Sequence, residues 1–211
     1  MSAFQAAADG LPDREPAIPR ASGGLVSKRV VVGYGFWIFL LSDIVLFSAL
    51  FATYAVLVNA TAGGPAGAQL FSQTRVAIET GCLLVSSYTC GLMWMAIGAR
   101  NPTATYLGAA VTFVLGAAFL ALEFSEFAGM IAASATPQRS AFLSAFFTLV
   151  GCHGGHVTLG LVWLTVMMAQ VATKGFLPAV QRRLACFTLF WHALDIIWVG
   201  IFTVVYLMGI R

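Results

Sequence analysis

The run Gly33-Tyr-Gly-Phe-Trp-Ile-Phe-Leu-Leu-Ser-Asp43-Ile-Val-Leu-Phe47-Ser-Ala-Leu-Phe51-Ala-Thr-Tyr54-Ala-Val-Leu-Val58 decides the class of this chain. About 20 apolar residues carry an α-helix across a bilayer, and this longer run holds a single charge, Asp43, near its middle. It is expected to be a transmembrane helix. Four further runs have the same character, at about 75–98, 103–128, 142–172 and 184–209. The segments between them are turn-forming: Asn59-Ala-Thr-Ala-Gly-Gly-Pro65, Arg100-Asn-Pro102, Thr136-Pro-Gln-Arg139, and a basic loop from Lys174 to Arg183 that holds Pro178. The predicted fold is an all-α integral membrane bundle of five spanning helices, at about 33–58, 75–98, 103–128, 142–172 and 184–209, occupying residues 29–211.

Composition agrees: the 211 residues are 60% hydrophobic and 9% charged, against about 25% charged in a soluble domain. The net charge of +3 is small and spread along the chain, so no nucleic-acid partner is expected; the basic residues are better read as orientation signals. Eight of the Lys and Arg residues fall in the N-terminal tail and the second and fourth loops, while Arg75, Arg139 and Arg211 fall on the other side. The positive-inside rule then predicts a cytoplasmic N-terminus and a periplasmic C-terminus. Residues 1–28, rich in Ala, Pro, Gly and charge and without an apolar segment, are expected to be a mobile cytoplasmic tail. Cys82, Cys90, Cys152 and Cys186 lie in apolar runs with neither CxxC nor Cys/His spacing, which argues against a disulfide framework or a zinc site.

Eight ionisable residues lie in or at the ends of these spans: Asp43, Glu79, Glu123, Glu126, His153, His156, His192 and Asp195. Each costs about 2.5 to 3.5 kcal/mol at a membrane centre, so each needs a partner. At 1.5 Å per residue Asp43 lies about 15 Å into its helix, and His192 and Asp195 about 12 and 16 Å into theirs, level with His153 and His156. A mid-membrane group of these five is expected, with Glu79, Glu123 and Glu126 forming a second group near the outer face. Glu123/Glu126, His153/His156 and His192/Asp195 are i, i+3 pairs, each on one side of its helix. Gly151 and Gly155, flanking the histidines of helix 4, form a small-xxx-small pattern expected to admit a close neighbour helix.

Ligation is a weak reading of these residues. The i, i+3 histidines suit one shared ion less well than an i, i+4 pair, and no His follows a Glu at the three-residue spacing of di-iron bundles. No metal, cofactor or catalytic site is expected in the chain. Two readings remain: ties between helices through hydrogen bonds worth about 0.6 to 2 kcal/mol each, or a proton relay through Asp43, His192 and Asp195. Trp37, Trp94, Trp163, Trp191 and Trp198 read as packing and interface anchors.

Several stretches in order, from about Gly35 to Gly209, carry a family resemblance. They are Gly35-Phe-Trp-Ile-Phe-Leu-Leu-Ser-Asp43, Leu46-Phe47, Phe51-Ala-Thr-Tyr54, Thr61-Ala-Gly-Gly-Pro65, Glu123-Phe-Ser-Glu126, Gly151-Cys-His-Gly-Gly-His156 and Trp191-His-Ala-Leu-Asp-Ile-Ile-Trp198. With these motifs the chain resembles subunit III of haem-copper terminal oxidases, in the cytochrome o ubiquinol oxidase branch. The resemblance implies an accessory five-helix subunit of the bacterial inner membrane. It implies packing against a catalytic subunit I that holds the haems and copper, other oxidase subunits and membrane phospholipids as neighbours, and ubiquinol as the substrate of the whole complex. The alternative reading is a stand-alone proton-coupled transporter or channel with its path through Asp43, His153, His192 and Asp195.

Overall fold

A computed structural model describes residues 28–63 and 73–207. The predicted tail lies outside the described residues except for Lys28, as do the end of the first loop and the C-terminal Arg211. Five long helices follow in order: α1 Lys28–Leu57, α2 Gln73–Gly98, α3 Pro102–Ala132, α4 Ala141–Lys174 and α5 Pro178–Ile201. A π-helical turn, Phe202–Leu207, continues α5. All five are long and apolar enough to cross a membrane, and no strand occurs among the described residues.

Helix ends follow local chemistry. Asn101 caps α3 by accepting from the Ala104 N–H at 3.1 Å, with Pro102 next in line, and Ser140 caps α4 by accepting from Leu143 N–H at 3.2 Å. Gly175 ends α4 at φ +64°, a conformation strained for any residue with a Cβ, and donates to Val171 O at 2.9 Å. The expected basic loop from Lys174 to Arg183 is much shorter than its sequence suggested. Pro178 occupies the first turn of α5, where its fixed φ starts a helix and its missing N–H costs nothing. Arg182 and Arg183 are therefore helical, and Arg183 Nη1 donates to Gln170 Oε1 of α4 at 2.8 Å. At its other end α4, at 34 residues, is about 51 Å long, well beyond the hydrocarbon thickness.

Helices α4 and α5 pack together and separate α1 on one side from the α2–α3 hairpin on the other. Helix α1 meets them along one edge, where Leu40, Phe47 and Tyr54 recur every two turns and are buried. Phe36, Leu50, Phe51 and Leu57 are half-buried against the core, while Trp37, Ile38, Leu41 and Val45 face outward. The α2–α3 approach is close because Gly108 has no side chain; a Cβ there would come within 3.0 Å of Met93 Cβ. The core is sealed by Trp191, whose ring lies in a slot between Gly116 of α3 and Gly160 of α4. Trp198 is equally buried and stands edge-on to Phe119 at 4.6 Å. Trp37 and Trp94 are exposed instead.

Candidate functional site

Helices α2 and α3 bring Glu79, Glu123 and Glu126 together, all three buried and within electrostatic reach of one another. The i, i+3 spacing points both α3 carboxylates the same way. Tyr206, turned into the core by the π-helical segment, donates its hydroxyl to Glu126 Oε2 at 3.3 Å. Glu123 rests on the bare backbone of Gly154: a Cβ there would meet Glu123 Oε1 and lie 2.9 Å from Cδ. Arg75 is near enough to act on Glu79 and Glu126 electrostatically, while its Nη1 donates to Ser125 Oγ at 3.3 Å. Neither oxygen of Glu79 has a hydrogen-bond partner among the described residues.

The other five residues occupy three distinct surroundings. Asp43 of α1 and His156 of α4 form a pair, Oδ1 to Nε2 3.9 Å, and His156 Nδ1 donates to Cys152 O at 2.7 Å. The Nδ1 proton fixes Nε2 as the atom facing the carboxylate. His153, one turn earlier, is fully buried among aromatic rings, with Trp198 at 5.2 Å, Phe119 at 5.8 Å and Phe47 at 6.3 Å. Neither of its nitrogens has a hydrogen-bond partner among the described residues. On the far side of the bundle, His192 Nδ1 of α5 lies 2.6 Å from Ser87 Oγ of α2, and Asp195 reaches the same hydroxyl.

The glycines of His153-Gly-Gly-His156 act differently from the expected pattern. Gly155 is exposed, with nothing within 4 Å of where a Cβ would lie, and Gly151 meets only Phe127 at 3.7 Å. The close approaches fall instead on Gly154, beside Glu123, and on Gly160, beside Trp191. The reason is rotational: residues 154, 157, 160 and 161 share the inward face, and 151 and 155 are turned off it.

Sequence reasoning missed the partners supplied by α2. Trp191 Nε1 donates to Ser86 Oγ and Trp198 Nε1 to Thr80 Oγ1, each at 3.1 Å, and Thr89 and Thr112 hydroxyls lie 2.8 Å apart. The available signal was a matched repeat. Two tryptophans seven residues apart on α5 face hydroxyls six residues apart on α2, so donor and acceptor recur every two turns on facing helices. Buried indole N–H groups call for such acceptors.

Chemically, the contacts of Asp43 with His156, of Ser87 with His192 and of Tyr206 with Glu126 tie helices together, whereas Glu79 and His153 make no hydrogen bond among the described residues. Among the described residues no direct hydrogen bond joins the Asp43–His156 pair to the Ser87–His192–Asp195 group, or either to the carboxylates. No three His, Cys, Asp or Glu side chains among them converge so as to hold a metal ion.

The sequence profile of the family described as Cytochrome c oxidase subunit III matches residues 23–210. Cytochrome bo(3) ubiquinol oxidase subunit 3 of Pseudomonas aeruginosa is 53% identical over 178 residues, covering 83% of this chain and 84% of the relative. Quinol oxidase subunit 3 of Bacillus subtilis is 43% identical over 176 residues, covering 83% and 86%. Cytochrome c oxidase subunit 3 of Bacillus sp. PS3 is 40% identical over 194 residues, covering 92% and 93%. A profile match over nearly the whole chain and relatives of this identity and coverage establish kinship: the chain belongs to the cytochrome c oxidase subunit III family.

Proposed function

We propose that the chain is the accessory, non-catalytic subunit III of a ubiquinol oxidase of the haem-copper type, a multi-pass protein of the bacterial inner membrane. The observation that carries this reading is the 53% identity, over most of both chains, to a ubiquinol oxidase subunit 3. It accounts for the geometry as well. Ionisable groups held in separate surroundings, with no direct hydrogen bond linking them among the described residues, suit a scaffold that holds its shape inside a larger assembly. They suit a stand-alone transporter less well, since its path would link them.

In this reading ubiquinol oxidation, oxygen reduction and proton pumping belong to the complex, and the haems and copper sit in the partner subunit I. The chain contributes a stable membrane surface to that subunit. Its N-terminus is cytoplasmic and its C-terminus periplasmic, on the strength of the Lys and Arg distribution. The polar groups keep the five helices in register, with phospholipids over the apolar outer face of α1. Solubilising native membranes gently, capturing the chain by a tag and recording the visible spectrum tests this. A haem-containing, quinol-oxidising complex is expected, and a haem-free homo-oligomer would overturn the proposal.

A further inference from the structure

We propose that the cavity where the Arg100 turn meets the start of α5 holds the phosphate of an anionic phospholipid, with an acyl chain lying along α2. The inference goes beyond the accessory-subunit reading and concerns a face other than the outer face of α1. The cavity measures about 780 Å³, and Trp94, Met95, Arg100, Gln181, Arg182 and Ala185 line it. The other arginines whose side chains are described each have a polar partner: Arg75 donates to Ser125 Oγ, Arg139 to Ser134 O and Arg183 to Gln170 Oε1. The side chains of Arg100 and Arg182 make no hydrogen bond or ion pair among the described residues, and neither do Trp94 Nε1 and the Gln181 side chain. No carboxylate lines the cavity. The nearest acid along α5 is Asp195, about 20 Å from Arg182 along the helix axis.

Arg100 occupies a position that disfavours it. It ends α2 at φ +53°, its N–H donating to Ile97 O at 3.1 Å and the N–H of Asn101 to Ala96 O at 3.0 Å. Glycine usually fills this cap, because the left-handed backbone strains any residue with a Cβ. An arginine there strains the turn and sets a guanidinium on the cavity. Depth and charge identify the ligand. At 26 residues α2 is about 39 Å long, close to the thickness of a bilayer with its headgroups, so its Gly98 end and Arg100 lie at phosphate level. Trp94, one turn inside, lies at the depth of interfacial aromatics. Two unpaired guanidiniums suit a phosphate. Without a carboxylate in the lining, nothing receives the ammonium of phosphatidylethanolamine, which favours a headgroup that carries no cation, such as phosphatidylglycerol. Met95 lines both this cavity and the groove between α2 and α5. A chain attached to the phosphate runs down that groove past Leu92 and Leu84, which are exposed. A soluble anion or an acidic loop would leave the groove uncovered. In the orientation proposed above, this is the cytoplasmic leaflet.

A phosphatidylglycerol carrying a photoactivatable diazirine in its acyl chain tests the site. The intact assembly, captured through the chain in mild detergent, is incubated with this probe and irradiated, and adducts are located by peptide mass spectrometry. In the parent, adducts are expected on α2 between Leu84 and Met95. Arg100→Gly and Arg182→Gln are each expected to lower their yield about fivefold, the weight of one basic contact with an anionic headgroup. Arg183→Gln removes an equal charge one residue away, at an exposed side chain already engaged with Gln170, and is expected to change the yield by no more than about twofold. Arg100→Gly relieves the left-handed strain, so its unfolding midpoint is expected to match or exceed the parent's, which separates lost labelling from lost folding. On the parent assembly, excess unlabelled phosphatidylglycerol is expected to suppress the adducts while phosphatidylethanolamine and inorganic phosphate leave them, an arm that needs no variant. Equal labelling of the parent, Arg100→Gly and Arg182→Gln, an equal drop in Arg183→Gln, or suppression by phosphatidylethanolamine or inorganic phosphate would overturn the proposal. So would the absence of adducts on α2 in the intact assembly, the result expected if an acidic residue of another subunit fills the cavity.

Discussion

Gly160→Ala probes the slot that holds Trp191. A Cβ at this position would lie 2.8 Å from Trp191 Cζ3, 3.0 Å from Cε3 and 3.3 Å from Phe190 Cε1. Carbon atoms pack best at about 3.5 to 4.0 Å, so the methyl overlaps the indole by roughly 1 Å. Trp191 has little room to recoil. Its far edge faces the bare backbone of Gly116, where an added Cβ would come within 3.0 Å of the ring, and its Nε1 donates to Ser86 Oγ at 3.1 Å. Overpacking of this kind costs about 1 to 3 kcal/mol, and displacing the indole from Ser86 about 0.6 to 2 kcal/mol more. Better helix propensity returns about 1 kcal/mol. The expected net loss is about 0.6 to 4 kcal/mol, measured by SDS-driven unfolding in mixed micelles with tryptophan fluorescence. Gly155→Ala, exposed and unobstructed, is expected to be neutral or to gain up to about 1 kcal/mol. In a Trp191→Phe background the overlapping ring edge is absent, so Gly160→Ala becomes neutral or stabilising there, with a coupling of about 1 to 3 kcal/mol. An equal cost in both backgrounds would refute the slot.

Further outcomes follow from the polar ties. Tyr206→Phe removes the hydroxyl that donates to Glu126 and is expected to cost about 0.6 to 2 kcal/mol in the same unfolding assay; an unchanged midpoint would show that the bond contributes nothing. Asp195→Asn and His192→Ala are expected to lower the amount of assembled, haem-containing complex in membranes while leaving oxygen consumption per haem close to that of the parent. Normal assembly with abolished turnover would revive the relay. Asn101→Ala removes the cap of α3 and is expected to cost about 1 kcal/mol, read as a lower unfolding midpoint.

Sequence alone carried the five spans, because length and hydropathy depend only on local composition. It also carried the pairing of Glu123 with Glu126, which helical spacing fixes. Pro178 misled, since proline starts a helix as readily as it interrupts one, and only the position of the preceding Gly175 cap separates the two. The glycines of helix 4 misled for a different reason. A small-xxx-small spacing recurs on several faces of a glycine-rich helix, and sequence does not say which face turns inward; here 154 and 160 do. Thr80, Ser86 and Ser87 carry no clear signal because serine and threonine in spans commonly bond their own helix, as Thr80 does to Val76 O at 2.8 Å. Their second role, accepting from the indoles of α5 or contacting His192, emerges only when α2 and α5 are side by side. Tyr206 is hidden similarly: the π-helical turn changes the register of the last residues of α5 and turns the ring toward Glu126.

The claim that this chain supports chemistry performed elsewhere is tested most directly by oxygen consumption per haem in the purified oxidase, measured before and after mild detergent strips the chain from the complex. Quinol-driven turnover per haem is expected to persist, at least initially, with the stripped complex less stable on storage. Turnover abolished immediately, with haem content and spectrum unchanged, would contradict the claim and place an essential step among the buried ionisable residues of this chain.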